Sequence, residues 1–515
     1  MNRCAPRLLV LLSALLSVLL SLSVAAAAAQ TEAPRVEPAR ARSGAAKSSI
    51  SVVPQQLFGS LPVSTHSAEA RQLLEKSLDQ YENVMLVESL ASARKAATKD
   101  PKFALAYAMW SFAARRDEPA PLALAKANAL AASAPPEEKL LVRWMTATQS
   151  KDLLPAIQTM NDLLAKFPKD KHILYLTAEW LYFQQDYERS RQLFEAAAQV
   201  DPNFPPAQNM LGYAYIETGD PDPTKAIAAL QRYSELLPTQ PNPHDSLGEV
   251  YRFAGNDKAS LEQYAAALQI SPTFYTSQLG LGDTSAMLGD YPRARAEFAK
   301  ATPIAPSARD KLHIEFQKAM VYFWEGKPEQ GRVELAELAK KAARQKDAYA
   351  QYEIGLGRAF LAASSGEELA ILDALLAKFS KPVLGMSAND RQTACASMLR
   401  ERVRVLSLAG KTEAASRAIH QLEALATATR DSIVGDCYYS ARGYSLFATG
   451  AYSDAISLLQ SDTQNPLVAH QIVLAYEKLG DSANAALAKT RLQYLRAPTP
   501  QWYLASNPGV NTQTP

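Results

Sequence analysis

Residues 279–290, LGLGDTSAMLGD, are the part of this chain that most resembles a nucleotide-binding loop, with two glycines one residue apart and a third seven residues on. Glycine loops hold phosphates because their backbone N–H groups can approach the ligand closely, and such a loop follows a strand and opens a helix. Whether these glycines serve a ligand or serve packing largely decides whether the chain is an enzyme.

Side chains that commonly carry out catalysis or bind metals are few and scattered. The six histidines, at positions 66, 172, 244, 313, 420 and 470, never stand three or four residues apart, and no cysteine pair has the spacing of a zinc site. The G-x-S-x-G elbow of serine hydrolases and the Walker phosphate loop are also absent from the sequence. The sequence therefore predicts no catalytic residue, no metal site and no cofactor.

The first 29 residues have the composition of a secretory signal peptide. Arg3 and Arg7 precede an apolar stretch at 8–24, and an alanine run follows it, which predicts cleavage near Ala29. The alternative is an uncleaved anchor, because residues 8–29 are long enough to span a bilayer. No second apolar run of that length follows. We therefore expect an exported chain, periplasmic or secreted, without a membrane span in its mature part.

Charge and composition favour a helical protein that does not bind nucleic acid. The formal net charge is +2, and it falls to about zero without Arg3 and Arg7. A nucleic-acid-binding protein would show a basic excess or stripe. Glycine is sparse while alanine and leucine are abundant, as is typical of helices.

Prolines recur along most of the chain with a period near 34 residues. The series consists of seven prolines, Pro101, Pro135, Pro168, Pro202, Pro238, Pro272 and Pro306. Successive members are 34, 33, 34, 36, 34 and 34 residues apart. Leucine–glycine pairs, turn glycines, aromatic residues and alanines recur with them. A period of this length is typical of stacked helical hairpins.

These recurring residues resemble the tetratricopeptide repeat, in which a Leu-Gly pair, a tyrosine, a turn glycine, small residues, an aromatic residue and a closing proline follow in order. The matching residues are Leu211, Gly212, Tyr215, Gly219, Ala226, Leu230 and Pro238, then Leu247, Gly248, Tyr251, Gly255, Tyr264, Ala267 and Pro272, then Leu281, Gly282, Gly289, Ala294, Phe298, Ala301 and Pro306, with Ser285 in the tyrosine place. Small residues at fixed places let paired helices approach, and stacking of hairpins buries a continuous core.

The resemblance implies an all-α, right-handed superhelical solenoid of antiparallel hairpins. We expect this array over residues 66–496, in roughly eleven hairpins, with the best matches at 168–306 and the weakest at 307–440. Residues 30–65, rich in Pro, Ala, Ser and Arg, are predicted to be a disordered linker, and 497–515 a flexible tail whose Trp502, Tyr503 and Leu504 could still pack on the last helix.

In arrays of this family the first helix of each hairpin lines the concave side. By offset within the repeat, the resemblance implies a groove lined by Tyr175, Glu179, Tyr182, Phe183, Asn209, Tyr213, Glu217, Asp245, Glu249, Arg252, Asp283 and Met287. This face is aromatic and acidic, so it favours a protein or peptide partner with basic and apolar residues. It lacks the basic residues with which some family members hold acidic C-terminal tails. The alternative is that some of these tyrosines only pack between helices.

Two cysteines, Cys395 and Cys437, remain after the signal segment. An even number in an exported chain permits a disulfide, and the alternative is two small buried side chains. Their register places them near the starts of first helices in neighbouring hairpins, two positions out of step. Helix axes lie about 8–10 Å apart, whereas a disulfide needs Cα atoms within about 7 Å.

The sequence thus predicts an exported repeat scaffold that binds another protein and has no catalysis of its own. The alternatives are a structural part of a cell-envelope assembly or of outer-membrane or polysaccharide export machinery, and a module that regulates an enzyme. The glycines of 279–290 receive a packing role, with Gly282 at the contact between paired helices and Gly289 in the turn. Gly280 has no counterpart in the other repeats, and only the usual helix penalty is expected for it. Asp283 is expected to face the groove.

Overall fold

A computed structural model of the chain describes residues 56–57, 61–114, 121–150 and 152–507. These fall into two compact units, and the chain passes from one to the other between Lys166 and Phe167. Each unit is built from antiparallel helical hairpins. The described part of the chain contains 25 α-helices and a two-stranded ribbon of two residues per strand. The predicted all-α solenoid of stacked hairpins is confirmed.

The first unit holds three hairpins. Its helices are α1 (Ala68–Glu82), α2 (Leu86–Lys99), α3 (Ala104–Ala113), α4 (Pro121–Leu130), α5 (Pro136–Gln149) and α6 (Leu153–Lys166). A 3₁₀ turn at Ala131–Ser133 follows α4, and the strands β1 (Gln56–Leu57) and β2 (Leu61–Pro62) pair antiparallel before α1.

The second unit holds nine hairpins and one short final helix. Its helices are α7 (Lys171–Phe183), α8 (Tyr187–Val200), α9 (Pro205–Glu217), α10 (Pro223–Leu236), α11 (Asn242–Phe253), α12 (Asp257–Ile270), α13 (Tyr275–Met287), α14 (Tyr291–Ile304), α15 (Ala308–Trp324), α16 (Pro328–Gln345), α17 (Ala348–Phe360), α18 (Ser365–Phe379), α19 (Ala388–Leu408), α20 (Thr412–Thr429), α21 (Ser432–Ala448), α22 (Tyr452–Leu459), α23 (Pro466–Leu479), α24 (Ser482–Gln493) and α25 (Pro500–Ser506). A 3₁₀ turn, Gln460–Asp462, follows α22.

Side-chain caps begin many of the second helices of these hairpins. Asp186, Asp222, Asn256 and Asp290 each accept a hydrogen bond from the backbone N–H three residues on. Such a cap satisfies an amide that the helix itself cannot pair. Asp290, which ends the LGLGDTSAMLGD stretch, is therefore a helix cap.

The glycines of the repeats lie where a side chain would collide with an aromatic or leucine side chain. A Cβ atom at Gly282 would lie 2.5 Å from the Phe298 ring, and one at Gly248 would lie 2.8 Å from Tyr264. Gly289 has φ +85°, a conformation that favours glycine, in the turn between α13 and α14. The packing interpretation of the stretch is thus confirmed.

Gly280 has a packing role as well, so the expectation that it only weakens its helix is wrong. A Cβ atom there would lie 2.4 Å from Cζ of Tyr264, which belongs to the preceding hairpin. The contact joins α12 to α13. It has no counterpart at the same offset in the other repeats, which is why the repeat pattern did not indicate it.

Both predicted flexible ends are in part ordered where the structure describes them. Leu61 and Thr65 are buried, and the backbone N–H and hydroxyl of Ser64 bind the Glu138 carboxylate, so residues 61–65 of the predicted linker are ordered. The tail includes α25, because Pro500 stands in the first turn of a helix capped by Thr499, whose hydroxyl accepts from the Trp502 N–H at 3.1 Å. The predicted signal segment lies outside the described residues.

Candidate protein-binding groove

All twelve predicted groove residues lie on the first helices of four consecutive hairpins. Helix α7 carries Tyr175, Glu179, Tyr182 and Phe183, α9 carries Asn209, Tyr213 and Glu217, α11 carries Asp245, Glu249 and Arg252, and α13 carries Asp283 and Met287. Nine of them are buried, while Phe183, Glu249 and Met287 are half-buried. In this structure these positions are therefore mostly covered rather than open to solvent.

Six of these residues form one polar network across α9, α11 and α13. The Tyr213 hydroxyl donates to Glu249 at 3.2 Å, and Ser246 donates to Asn209 at 3.0 Å. Arg252 pairs with Glu249 at 3.2 Å and with Asp283 at 3.9 Å.

Asp245 completes the network by accepting from the Ser277 hydroxyl of α13 at 2.6 Å. Each of these contacts except Arg252–Glu249 joins neighbouring hairpins. The network therefore fixes how the three hairpins stack.

The network carries more negative than positive charge. Three carboxylates, those of Asp245, Glu249 and Asp283, face one guanidinium, that of Arg252. Burial, aided by the nearby Glu249 carboxylate, raises the pKa of both Asp245 and Asp283 to about 7. Arg252 opposes this rise at both residues, and the hydrogen bond from Ser277 opposes it at Asp245. Ionised carboxylates are costly to bury without a cation, so the network favours either a proton or an added positive charge.

The tyrosines of α7 pack among aromatic side chains, in agreement with the alternative that some groove tyrosines only pack between helices. Tyr175 lies 5.6 Å from Phe194 and 5.7 Å from Phe204, measured between ring centroids, and Tyr182 lies 5.2 Å from Tyr187. Their contribution is to hold neighbouring helices together. The Tyr175 hydroxyl also donates to the Glu179 carboxylate of the same helix at 3.3 Å.

A second buried polar network on α19 has no counterpart in the sequence prediction. Arg400, fully buried, contacts Glu401 and Asp462 at 2.8 Å each, and Arg404 contacts Glu401 at 2.8 Å and Glu368 at 2.6 Å. Arg400, Glu401 and Arg404 stand at i, i+1 and i+4 within α19. Charged residues at this spacing can lie on a buried helix face or on a solvent-exposed one. The sequence alone therefore did not show that these three are buried.

The possible disulfide between Cys395 and Cys437 does not form, since both are free thiols. Cys437, on α21, is fully buried and packs against the side of α19 that carries Ser397 and Arg400. Its Sγ lies 4.0 Å from the Ser397 hydroxyl and 3.9 Å from the Arg400 guanidinium. Cys395 stands two residues before Ser397, about 200° around the helix, and packs on a different hydrophobic cluster. Burial raises the pKa of Cys437 to about 12, which makes it an inert core side chain.

The raised pKa values predict that stability falls as the pH rises. Burial favours the protonated form of Asp245. Its contribution to the free energy of unfolding is therefore present in full below pH 3.8, the pKa of the unfolded chain, and is lost as the pH rises through the folded-state pKa of about 7. An amide resembles the protonated carboxyl. Asp245→Asn should therefore match the wild type only near or below about pH 3.8, where both side chains are neutral in the folded and unfolded states. In thermal melts its stability advantage over the wild type should grow between about pH 5.5 and about pH 8, by on the order of 2 kcal/mol in the free energy of unfolding.

The matched control for this prediction is Asp220→Asn, at an exposed position in the loop between α9 and α10. It should leave the pH dependence of the wild type unchanged. Equal pH dependence in Asp245→Asn and the wild type would contradict a protonated, buried Asp245.

No helix among the described residues is both long enough and apolar enough to cross a bilayer. Within those residues there is likewise no cluster of three or more His, Cys, Asp or Glu side chains placed to hold a metal ion.

A family model described as tetratricopeptide repeat matches residues 181–248, from the end of α7 to the first half of α11. The match includes Asn209, Tyr213 and Asp245 of the acidic network. Together with the observed hairpins, this match shows that the chain contains tetratricopeptide repeats. Such repeats imply a protein–protein interaction scaffold, typically without catalysis.

Among curated proteins, the chain is similar to the UDP-N-acetylglucosamine–peptide N-acetylglucosaminyltransferase of Giardia intestinalis, at 26% identity over 141 residues. The match covers 27% of this chain but only 9% of that enzyme. Solved structures similar in part include a tetratricopeptide repeat protein from Parabacteroides merdae (16% identity, TM-score 0.34, 53% of this chain and 93% of that one). Another is YrrB, titled a TPR protein with an unusual peptide-binding site (18% identity, TM-score 0.27, 43% and 96%).

Proposed function

We propose that this chain is an exported scaffold that binds a protein segment carrying lysine or arginine and apolar side chains, without catalysis of its own. The observation that carries the proposal is the excess of carboxylates in the network of α9, α11 and α13, where Asp245, Glu249 and Asp283 share the single cation Arg252. A second positive charge from a partner would pair with them.

Glu249 is the point at which such a cation would enter. Its side chain keeps 15% of its surface exposed, whereas those of Arg252 and Asp283 keep 7%. A charged hydrogen bond in a partly desolvated place is stronger than one in water. The half-buried Met287 offers apolar surface on α13, the next first helix, and the half-buried Phe183 does so on α7.

Export is supported by the positive, apolar and alanine-rich order of residues 1–29. The absence of recognisable catalytic motifs in the sequence supports a scaffold rather than an enzyme. Mass spectrometry of the purified protein tests the export proposal, because retention of the N-terminal peptide would contradict cleavage.

Selection of peptides from a random library by the full chain tests the binding proposal. We expect the wild type to enrich peptides with lysine or arginine beside an apolar residue. Glu249→Gln, which keeps the size of the side chain but removes its charge, should weaken binding of the selected peptides by about tenfold, since a charge-assisted contact contributes roughly 1.5–3 kcal/mol.

The matched control is Glu235→Gln on α10, whose carboxylate is 65% exposed in a surface pair with Arg232. It should select and bind the same peptides as the wild type. Enrichment of acidic peptides, or equal affinity in Glu249→Gln and the wild type, would contradict the proposal. Circular dichroism melts verify that both variants are folded.

A further inference from the structure

The end of the second unit folds back onto the turns of its own earlier hairpins. We call residues 491–507 the closing segment. Arg496 donates to the Asp257 carboxylate at 2.7 Å, and the Gln317 amide donates to the carbonyl of Pro498 at 3.3 Å. Upstream of the segment, the Gln464 amide donates to the carbonyl of Glu217, a predicted groove residue, at 2.5 Å. These contacts join residues 181 to 247 positions apart in the sequence.

Helix α25 buries aromatic and aliphatic side chains between other helices of the unit. Tyr503 meets the ring of Trp324 edge-on, with 4.9 Å between ring centroids, and lies 6.0 Å from Phe323. Tyr503 and Leu504 belong to the same hydrophobic cluster as side chains from α15 to α19. The closing segment is therefore held by apolar contacts at one end and by an ion pair at the other.

The closing segment leaves clefts on both sides. A cleft of about 80 Å³ lies between residues 498–501 and the helices α15 and α17, and one of about 200 Å³ adjoins Tyr503 and Leu504. Solvent therefore reaches the edges of the docked segment, although Tyr503 and Leu504 themselves are buried.

The closing segment also has the chemistry that the proposed function assigns to a partner. Residues 491–507, RLQYLRAPTPQWYLASN, contain two arginines and no acidic residue, together with leucines and aromatic side chains. Its Arg496 already pairs with a carboxylate at the turn after α11, one of the helices of the acidic network.

We propose that the closing segment is an intramolecular ligand of the array and that a binding partner displaces it. This deepens the proposed function, on which it rests for the partner. The partner would be a protein segment with the same order of features: an arginine, a proline bend and a short helix with an aromatic residue beside a leucine. While the segment is docked, it competes with such a partner at an effective concentration that tethering places in the millimolar range.

A labelled synthetic peptide of residues 491–507 tests this on the full chain. The variants are Tyr503→Ala with Leu504→Ala, which loosens α25, and Arg496→Glu, which places like charges together at Asp257. Fluorescence anisotropy should show at least about tenfold tighter peptide binding to both variants than to the wild type, since the tethered competitor is weakened in each.

Leu487→Ala is the matched control, because Leu487 lies on α24 outside the segment and is 69% exposed. It should bind the peptide as weakly as the wild type does. Should the double variant lose its thermal transition, Arg496→Glu decides the question alone. Equal peptide affinity in the wild type and the folded variants would overturn the proposal.

The outcome separates this inference from the proposed function. Library peptides that bind through Glu249, with no gain in the loosened variants, would refute the closing segment as a competitor and leave the scaffold function standing. A gain for the 491–507 peptide together with no selection of basic library peptides would refute the proposed partner class and leave the intramolecular ligand standing.

Discussion

Replacing Arg400 by alanine is expected to lower the free energy of unfolding by about 3–5 kcal/mol, because removing one partner of a buried ion pair leaves the other charge without compensation. Arg400 is fully buried and contacts the carboxylates of Glu401 and Asp462, both fully buried as well. Glu401 keeps Arg404 in the variant, whereas Asp462 loses its cation. Urea denaturation followed by circular dichroism measures the change.

The same helix offers the matched control. Arg402 pairs with Asp373 at 2.6 Å, but that carboxylate keeps 54% of its surface exposed. Arg402→Ala should therefore cost at most about 1 kcal/mol, as surface ion pairs do. Similar losses in the two variants would contradict the view that burial, rather than pairing itself, makes the α19 network important.

The regular part of the fold could be predicted because its signals are local. Pro272 and Pro306 mark the turns between hairpins, and Gly289 stands in a turn that requires a positive φ. The turn glycines at 326, 410, 450 and 480, all beyond the best-matching repeats, likewise have positive φ. Each of these residues acts through its own backbone conformation, so its effect can be deduced without knowledge of distant parts of the chain.

The candidate site could be predicted only in part, because burial depends on contacts between distant parts of the chain. The repeat register placed Tyr213, Glu249 and Asp283 correctly on successive first helices. It could not show that most groove positions are covered, or that Arg496 reaches Asp257 across 239 residues. Such contacts have no local pattern. Only the apolar side chains of the tail, Trp502 to Leu504, indicated that this end would pack on something.

Gly280 gives the second large effect, and its sign distinguishes packing from helix propensity. Alanine is favoured over glycine inside a helix by about 1 kcal/mol, so propensity alone predicts that Gly280→Ala stabilises the protein. The added methyl group would instead lie 2.4 Å from the Tyr264 ring, which is itself buried against Gly248. Overpacking of this kind costs typically 1–3 kcal/mol. After the propensity gain of about 1 kcal/mol, we expect a net loss of up to about 2 kcal/mol in the free energy of unfolding.

Gly435→Ala is the matched control for this prediction, because Gly435 is also inside a helix, α21, and a Cβ atom there meets nothing within 4 Å. That variant should gain roughly 0.5–1 kcal/mol. Opposite signs for the two glycines, measured by urea denaturation under the same conditions, would show that Gly280 is retained for the contact between α12 and α13. A gain in both variants would instead mean that the Tyr264 ring can move aside, and that the stacking of these hairpins tolerates a wider separation than the structure shows.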